Sequence, residues 1–225
     1  MNEPEELDLS QLRRFMVDLI AAYAQLSVEQ IRKDCLDERV MAAMARVPRH
    51  HFVPVEIQGF AYADGPLPIG CGKTISQPFM VALMTDLLGI EPNDRVLEVG
   101  TGLGYHAAIM AELADQIYSV EIIEELAESA RRRLDGAGYT NIQFRVGNGY
   151  YGWPEHGPFD KILVASACEL MPPPLLEQLK PGGRMVIPCG LAQQQFLLLV
   201  EKSSAGRIST REIMPVIFAP MIISH

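Results

Sequence analysis

Three glycines recur at every second position in Val99-Gly100-Thr101-Gly102-Leu103-Gly104-Tyr105, between an apolar run and a stretch with helical spacing. Glycine has no Cβ, so such a turn lets the backbone come close to a ligand, and a following helix offers unpaired N–H groups. The dinucleotide fingerprint needs its third glycine three residues after the second. Here Gly104 follows Gly102 by two, which suits a nucleoside without a pyrophosphate better than a nicotinamide or flavin dinucleotide. Glu121 ends the next apolar run, where a carboxylate can accept from both hydroxyls of a ribose. An exposed strand-end acid with no ligand is the alternative reading of that residue.

Residues with these tasks must stand on strand ends. Residues 95–100, 117–122, 142–146, 159–166 and 184–188 read as strands, with helices over 105–113, 124–134 and 174–179. This alternation specifies a doubly wound α/β fold, a mostly parallel sheet covered by helices on both faces. Residues 196–201 and 208–218 add two strands, making seven. Only residues 189–194 separate the fifth strand from the sixth, too few for the crossover that a parallel neighbour requires. The sixth strand is therefore expected antiparallel beside the fifth and the seventh beyond it, in the order 3-2-1-4-5-6-7.

Helical material precedes the core. Leu9, Leu12, Phe15, Met16, Leu19, Ile20 and Tyr23 follow the spacing of an amphipathic helix over 9–26. Ser27 and Gln30 have the form of a capping box opening a second short helix. Asp37 can cap a third, with Val40, Met44 and Val47 on one face and Pro48 at its end. Residues 52–73 are rich in proline and glycine, which is loop or short-strand chemistry, and a long loop ahead of a core is more often functional than idle. Pro78 is well placed as the first residue of the next helix. Met80, Leu83, Met84, Leu87 and Leu88 form its buried stripe, and Gly89 ends it.

The chain has 225 residues, 48% hydrophobic and 21% charged, which suits one sizeable core with an appendage. Its net charge is −9, and the longest basic run, Arg131-Arg132-Arg133, falls where a helix end favours cations. That balance argues against phosphate-gripping nucleic-acid binders. The longest aliphatic stretch, 196–200, is far below the roughly 20 apolar residues needed to span a bilayer. The opening Met1-Asn2-Glu3-Pro4 is polar, so a cytoplasmic location is expected. Cys35, Cys71, Cys168 and Cys189 show no CxxC spacing and no histidine at ligand spacing; they read as reduced thiols, with no metal.

Leu179-Lys180-Pro181-Gly182-Gly183, ahead of the fifth strand, resembles a turn that recurs in many S-adenosylmethionine-dependent methyltransferases; otherwise it is simply a good Pro-Gly turn. A narrower resemblance runs from about Leu36 to Pro220. Val47-Pro48-Arg49, Phe52-Val53-Pro54, Leu67-Pro68-Ile69-Gly70 and Thr74-Ile75-Ser76-Gln77-Pro78 are similar to the signature of the protein-L-isoaspartate O-methyltransferases. Residues 96–105, 149–160 and 179–190 match the same family in the same order. Thr74-Ile75-Ser76-Gln77-Pro78 is the most specific element, because it lies outside the generic cofactor fold.

The resemblance implies methyl transfer from S-adenosylmethionine, leaving S-adenosylhomocysteine, to the free α-carboxyl of an isoaspartyl residue in a damaged peptide or protein. The ester then collapses to a succinimide that can reopen to aspartate. A carboxyl with an ordinary pKa near roughly 3.9 is already an anion at neutral pH, so alignment and exclusion of water matter more than a general base. Ser76 is the residue implied to touch the substrate carboxylate, although Ser76 could also serve as a helix N-cap. Thr74, Ile75 and Ser76, then Glu98, Gly100, Gly102 and Gly104, are implied to bind the cofactor. So are Glu121, Ile122, Asn148 and Gly149, with Asn148 receiving the adenine amino group where an aspartate is usual. Lys73 and His106 stand where glutamine is common, and residues 164–168 replace a more usual Thr-Ala-Ala run.

The expected organisation is one methyltransferase domain over 1–225: N-terminal helices and a substrate-side loop over 1–75, the cofactor-binding core over 76–190, and a strand pair over 191–225. Isoaspartyl peptides and proteins are the expected partners of a monomer that binds neither nucleic acid nor membrane. Two other readings stand beside this one: the same fold methylating another carboxylate, and a non-catalytic cofactor-binding module.

Overall fold

Residues 8–223 are described by the computed structural model of the chain. Residues 1–7, including the acidic opening, and 224–225 lie outside the described part. Three helices lead: α1 (Leu9–Leu26), α2 (Val28–Ile31) and α3 (Glu38–Arg46). The Asp8 carboxylate accepts from the N–H groups of Ser10 and Gln11 to start α1, which buries Met16, Ile20 and Ala24. Asp37 caps α3 by accepting the Arg39 N–H at 2.7 Å, and Val47 turns extended ahead of Pro48.

The capping box at Ser27 does not form. Ser27 precedes α2, but its φ of −104° and ψ of 15° are not the extended angles that let a hydroxyl reach back over the first turn. Its own N–H still bonds the carbonyls of Tyr23 and Ala24, so it belongs as much to the end of α1.

Two 3₁₀ turns, Arg49–Phe52 and Val55–Phe60, follow, then an antiparallel hairpin of β1 (Leu67–Gly70) and β2 (Lys73–Ile75). The helix α4 (Pro78–Leu88) starts on its proline and ends at Gly89, whose φ is +58°. It is buried almost all round, so it forms the spine between the leading helices and the sheet.

The core runs β3 (Arg95–Val99), α5 (Tyr105–Ala111), β4 (Gln116–Glu121), α6 (Glu124–Gly136), β5 (Ile142–Val146) and β6 (Phe159–Val164). It continues through α7 (Pro173–Glu177), β7 (Leu179–Leu191), β8 (Gln194–Lys202) and β9 (Ile208–Val216). The sheet order is β5-β4-β3-β6-β7-β8-β9. The first five of these pair in parallel, and β7–β8 and β8–β9 pair antiparallel. Counted from β3, this is the expected 3-2-1-4-5-6-7, because the tight connection after Leu191 leaves β8 no way to cross over.

Both faces are covered. Val96, Leu163 and Val186 pack with α4 and α5, while the alternate Leu97, Ile162, Val164 and Met185 pack with Leu175 of α7 and with Trp153. Most boundaries shift from the sequence expectation by one to three residues, and two of the differences have a clear physical cause. Strand β7 begins at Leu179, which pairs with Phe159, while Arg184 pairs with Lys161. The Lys180–Gly183 stretch is thus a bulge within the strand and not a turn before it. A Cβ on Gly183 would lie 2.8 Å from the Asp160 carbonyl oxygen, and Lys180 pairs with the Asp160 carboxylate at 2.7 Å. Strand β9 stops before Phe218 because a side chain, not the ladder, takes over that residue's backbone. No helix among the described residues is long and apolar enough to cross a membrane.

Candidate functional site

The strand order reverses between β3 and β6, and α/β sheets open a crevice beyond the strand ends at such a point. A cavity of about 310 Å³ lies there. Its floor is Gly100, Gly102, Glu121, Ile122 and Gly149, and the hairpin residues Ile69, Lys73 and Thr74 line it with Ser76. Ala165, Ser166 and the run Pro215 to Ile222 form much of the remaining lining.

The floor is fixed by backbone. Gly104 has a φ of +94°, and a Cβ there would sit 2.7 Å from Cδ1 of Leu134, so the glycine is what lets the turn ahead of α5 pack on α6. A Cβ on Gly149 would collide with Val99, which brings the chain after β5 against the end of β3. The Glu121 carboxylate accepts the Gly102 N–H at 2.9 Å on one oxygen and the Ile123 N–H at 3.0 Å on the other. Each oxygen keeps acceptor capacity toward the cavity, which is what a ribose diol needs.

Beneath the turn, Thr101 and Ser119 hydroxyls meet at 2.6 Å, and Ser119 donates to Glu98, its partner across the strands. Glu98 is fully enclosed, and burial pushes its pKa up to about 8, so it is protonated at neutral pH.

The opposite wall is held by side chains reaching for backbone. Arg49 is fully buried; its Nε donates to the Ala61 carbonyl at 2.8 Å and its Nη2 to the Ser76 carbonyl at 2.7 Å. Its guanidinium stacks 4.9 Å from the centre of the Tyr105 ring. Desolvation lowers its pKa to about 10, which still leaves it charged at neutral pH. Gln77 donates to Asp64 at 2.9 Å and Tyr23 of α1 donates to the same carboxylate at 2.7 Å, joining the leading helix to the cavity. The Gln195 amide accepts the Phe218 N–H at 2.7 Å and donates to the Phe218 carbonyl at 3.2 Å, which is why β9 ends early. Ala167 holds the same wall through its N–H to Ala219 and its carbonyl from Met221.

Of the residues expected at the site, Thr74, Ser76, Gly100, Gly102, Glu121, Ile122 and Gly149 line the cavity. Ile75, Glu98, Gly104 and Asn148 do not. Ile75 alternates inward from Thr74 and Ser76 and joins the core, Glu98 lies under the turn, and Gly104 serves helix packing. Asn148 stands beside Gly149, where its side chain accepts the Tyr150 N–H at 3.0 Å. Ser76 is not the N-cap of α4; Gln77 holds that position, no side chain caps the helix, and Ser76 is part of the cavity lining. His106 is buried against Thr85 at 2.9 Å, and burial lowers its pKa to about 3, so it is a neutral core residue.

Sequence reading gave Arg49 no task, although it sits in one of the quoted motifs. It also missed the Pro215–Ile222 wall, for which no local pattern exists. The lining contains hydroxyls, one ammonium (Lys73) and one carboxylate (Glu121), and no imidazole. Among the described residues no group of three or more histidine, cysteine or acidic side chains is placed to hold a metal ion.

The sequence and the fold that carry this site have counterparts among known proteins. A solved structure described as protein-L-isoaspartate O-methyltransferase superposes with a TM-score of 0.78 at 28% identity, over 92% of this chain and 65% of that one. A structure from Plasmodium falciparum, in complex with S-adenosyl-L-homocysteine, superposes at 0.77 over 96% of this chain and 99% of that one; at 22% identity it shows the shared fold alone. Protein-L-isoaspartate O-methyltransferase 1 of Polaromonas sp. (strain JS666 / ATCC BAA-500) is 58% identical over 219 residues, 97% of this chain and 92% of that one. Residues 23–224 match the family model described as protein-L-isoaspartate(D-aspartate) O-methyltransferase, and the chain belongs to that family.

Proposed function

We propose that the protein transfers a methyl group from S-adenosylmethionine to the α-carboxyl of L-isoaspartyl residues in damaged peptides and proteins. The observation that carries this reading is the wall that holds Ser76 at the cavity while no imidazole lines it. An acceptor that needs deprotonation would want a base there; a carboxylate does not. Bound at the floor, S-adenosylmethionine supplies the electrophilic methyl group.

In this reading Glu121 accepts from the ribose hydroxyls and Asn148 from the adenine amino group. Gly100 and Gly102 keep the floor open to close approach, with Thr74, Ile122 and Gly149 around them. The Ser76 hydroxyl donates to the reacting carboxylate and holds it in line, and the 215–222 wall keeps water from the reacting atoms. The chain acts as one domain and as a cytoplasmic monomer, with isoaspartyl peptides and proteins as its partners; its acidic surface gives nucleic acid no grip.

Matched peptides differing only in an isoaspartyl or aspartyl linkage test the proposal. The isoaspartyl peptide is expected to take up labelled methyl groups and its twin to stay unlabelled. Equal labelling of both, or labelling of neither with cofactor bound, points to another carboxylate acceptor.

A further inference from the structure

Cys168 and Cys189 are 21 residues apart in sequence, yet their sulfurs lie 3.2 Å from each other. The two residues are bridge partners: the Cys168 N–H donates to the Pro188 carbonyl, and the Gly190 N–H to the Cys168 carbonyl. Neighbouring strands put such Cα atoms about 5 Å apart with side chains on one face, inside the range a disulfide spans. We propose that Cys168 and Cys189 form a peroxide-oxidisable dithiol whose disulfide staples the base of the cavity wall, and that it reacts before the exposed Cys35 and Cys71.

Accessibility alone predicts the reverse order, since Cys35 and Cys71 are exposed while Cys168 is buried. A resolving thiol 3.2 Å away, which neither exposed cysteine has, reverses that order, and thiolate content acts in the same direction. Asp34 beside Cys35 raises its pKa, and partial desolvation with Glu125 raises that of Cys71. Cys189 is lowered by its hydrogen bond with Cys168, and it is only half-buried. The Cys189 thiolate attacks one oxygen of hydrogen peroxide: an S–O bond forms, the O–O bond breaks, and hydroxide leaves with the proton Cys189 has shed, as water. Cys168 then gives up its proton and attacks the Cys189 sulfur. The S–S bond forms, the S–O bond breaks, and a second water leaves. Two thiols and one peroxide give one disulfide and two waters.

The staple matters for the site because Ala167, next to Cys168, carries the wall through its bonds to Ala219 and Met221. The full chain is treated with hydrogen peroxide near stoichiometry, its thiols are counted with a maleimide, and the digest is mapped. The expected result is loss of two of the four thiols, a 168–189 linked peptide, and a melting midpoint raised by roughly 5 °C or more. Dithiothreitol should reverse the rise. Cys35→Ser/Cys71→Ser should behave as wild type, and Cys168→Ser should stop at a sulfenic acid trapped by dimedone on Cys189. The Cys168→Ser/Cys189→Ser variant, given the same peroxide, controls for methionine oxidation and should show no rise. Earlier loss of Cys35 or Cys71, sulfinic acid at Cys189 in the wild type, or a disulfide without a rise in midpoint would each overturn the proposal.

Discussion

The two sides of the cavity are built by different means. The floor rests on β3, β4 and the chain after β5, where parallel register sets each residue's height and glycines set how closely neighbours approach. The opposite wall comes from three separate stretches, around Arg49, around Ser76 and beyond β9, and no ladder joins them. Arg49 joins the first two, and Gln195 and the Ala167 backbone hold the third to the sheet, each by gripping main-chain groups. A floor made by register tolerates loss of any one side chain; a wall made by latches depends on each latch.

The largest effect that follows is at Arg49. Arg49→Met strands the Ala61 and Ser76 carbonyls, each worth about 1–3 kcal/mol when buried without a partner. A loss of roughly 2–6 kcal/mol in unfolding free energy is expected. Assayed well below its melting midpoint, the variant should lose peptide turnover while cofactor affinity, a property of the floor, stays within about threefold. Arg49→Lys restores the charge and one of the two bonds and should recover part of the activity. If cofactor affinity falls in step with turnover, the two sides are not independent and the comparison fails.

The same contrast sets what could be read from sequence. The floor was legible because each signal is local: strand period, glycine spacing and an acid at a strand end all fall within a short window. The sheet order was legible too, since the short link after Leu191 excludes a crossover. The wall was legible only where the family signature names its residues, as with Ser76. Gln195, inside an ordinary strand, gives no local hint that its amide clamps Phe218 across 23 residues of chain. The departures from expectation have the same origin. Glu98 has the type and position of a ligand-binding acid, but strand alternation puts it under the turn; Ser27 and the Lys180–Gly183 stretch carry good local signals that tertiary register overrides.

Glu98 offers a test of the floor. Its folded pKa, about 8, lies above the ordinary carboxylate range, so the folded state holds a proton that the unfolded state has lost. Stability is therefore complete below about pH 4.5 as far as this group is concerned, falls as pH rises toward 8, and levels off above it. Glu98→Gln keeps an acceptor for Ser119 and removes the titration. Its advantage should be absent near pH 4, reach about 5 kcal/mol by pH 9, and appear in melting midpoints taken across that range. Parallel pH profiles for the two proteins would show that Glu98 is not held neutral.

For the wall, Ser76→Ala removes a hydrogen bond to a charged group, worth roughly 1.5–3 kcal/mol. kcat/KM for an isoaspartyl peptide should drop about 10- to 100-fold, with cofactor affinity and melting midpoint as controls. Since Gln77 and not Ser76 precedes α4, little stability should be lost. A folded, cofactor-binding variant within twofold of wild-type turnover would leave Ser76 as lining and nothing more.

The smallest effect belongs to Asn148, and it returns to the floor. The side-chain oxygen of Asn148 already accepts the Tyr150 N–H, which fixes its orientation at the start of a 3₁₀ turn beside Gly149. An aspartate can keep that bond and point its second oxygen at the adenine amino group, turning a neutral acceptor into a charged one. The difference between the two kinds of bond is about 1 kcal/mol, or about fivefold in Kd. Calorimetry on Asn148→Asp should therefore show S-adenosylmethionine binding about fivefold tighter. Because the substitution is confined to the floor, kcat for the isoaspartyl peptide should be unchanged at saturating cofactor. Weaker cofactor binding would mean that the purine edge meets a different group, and that the part of the floor contributed by the chain after β5 is organised around another contact.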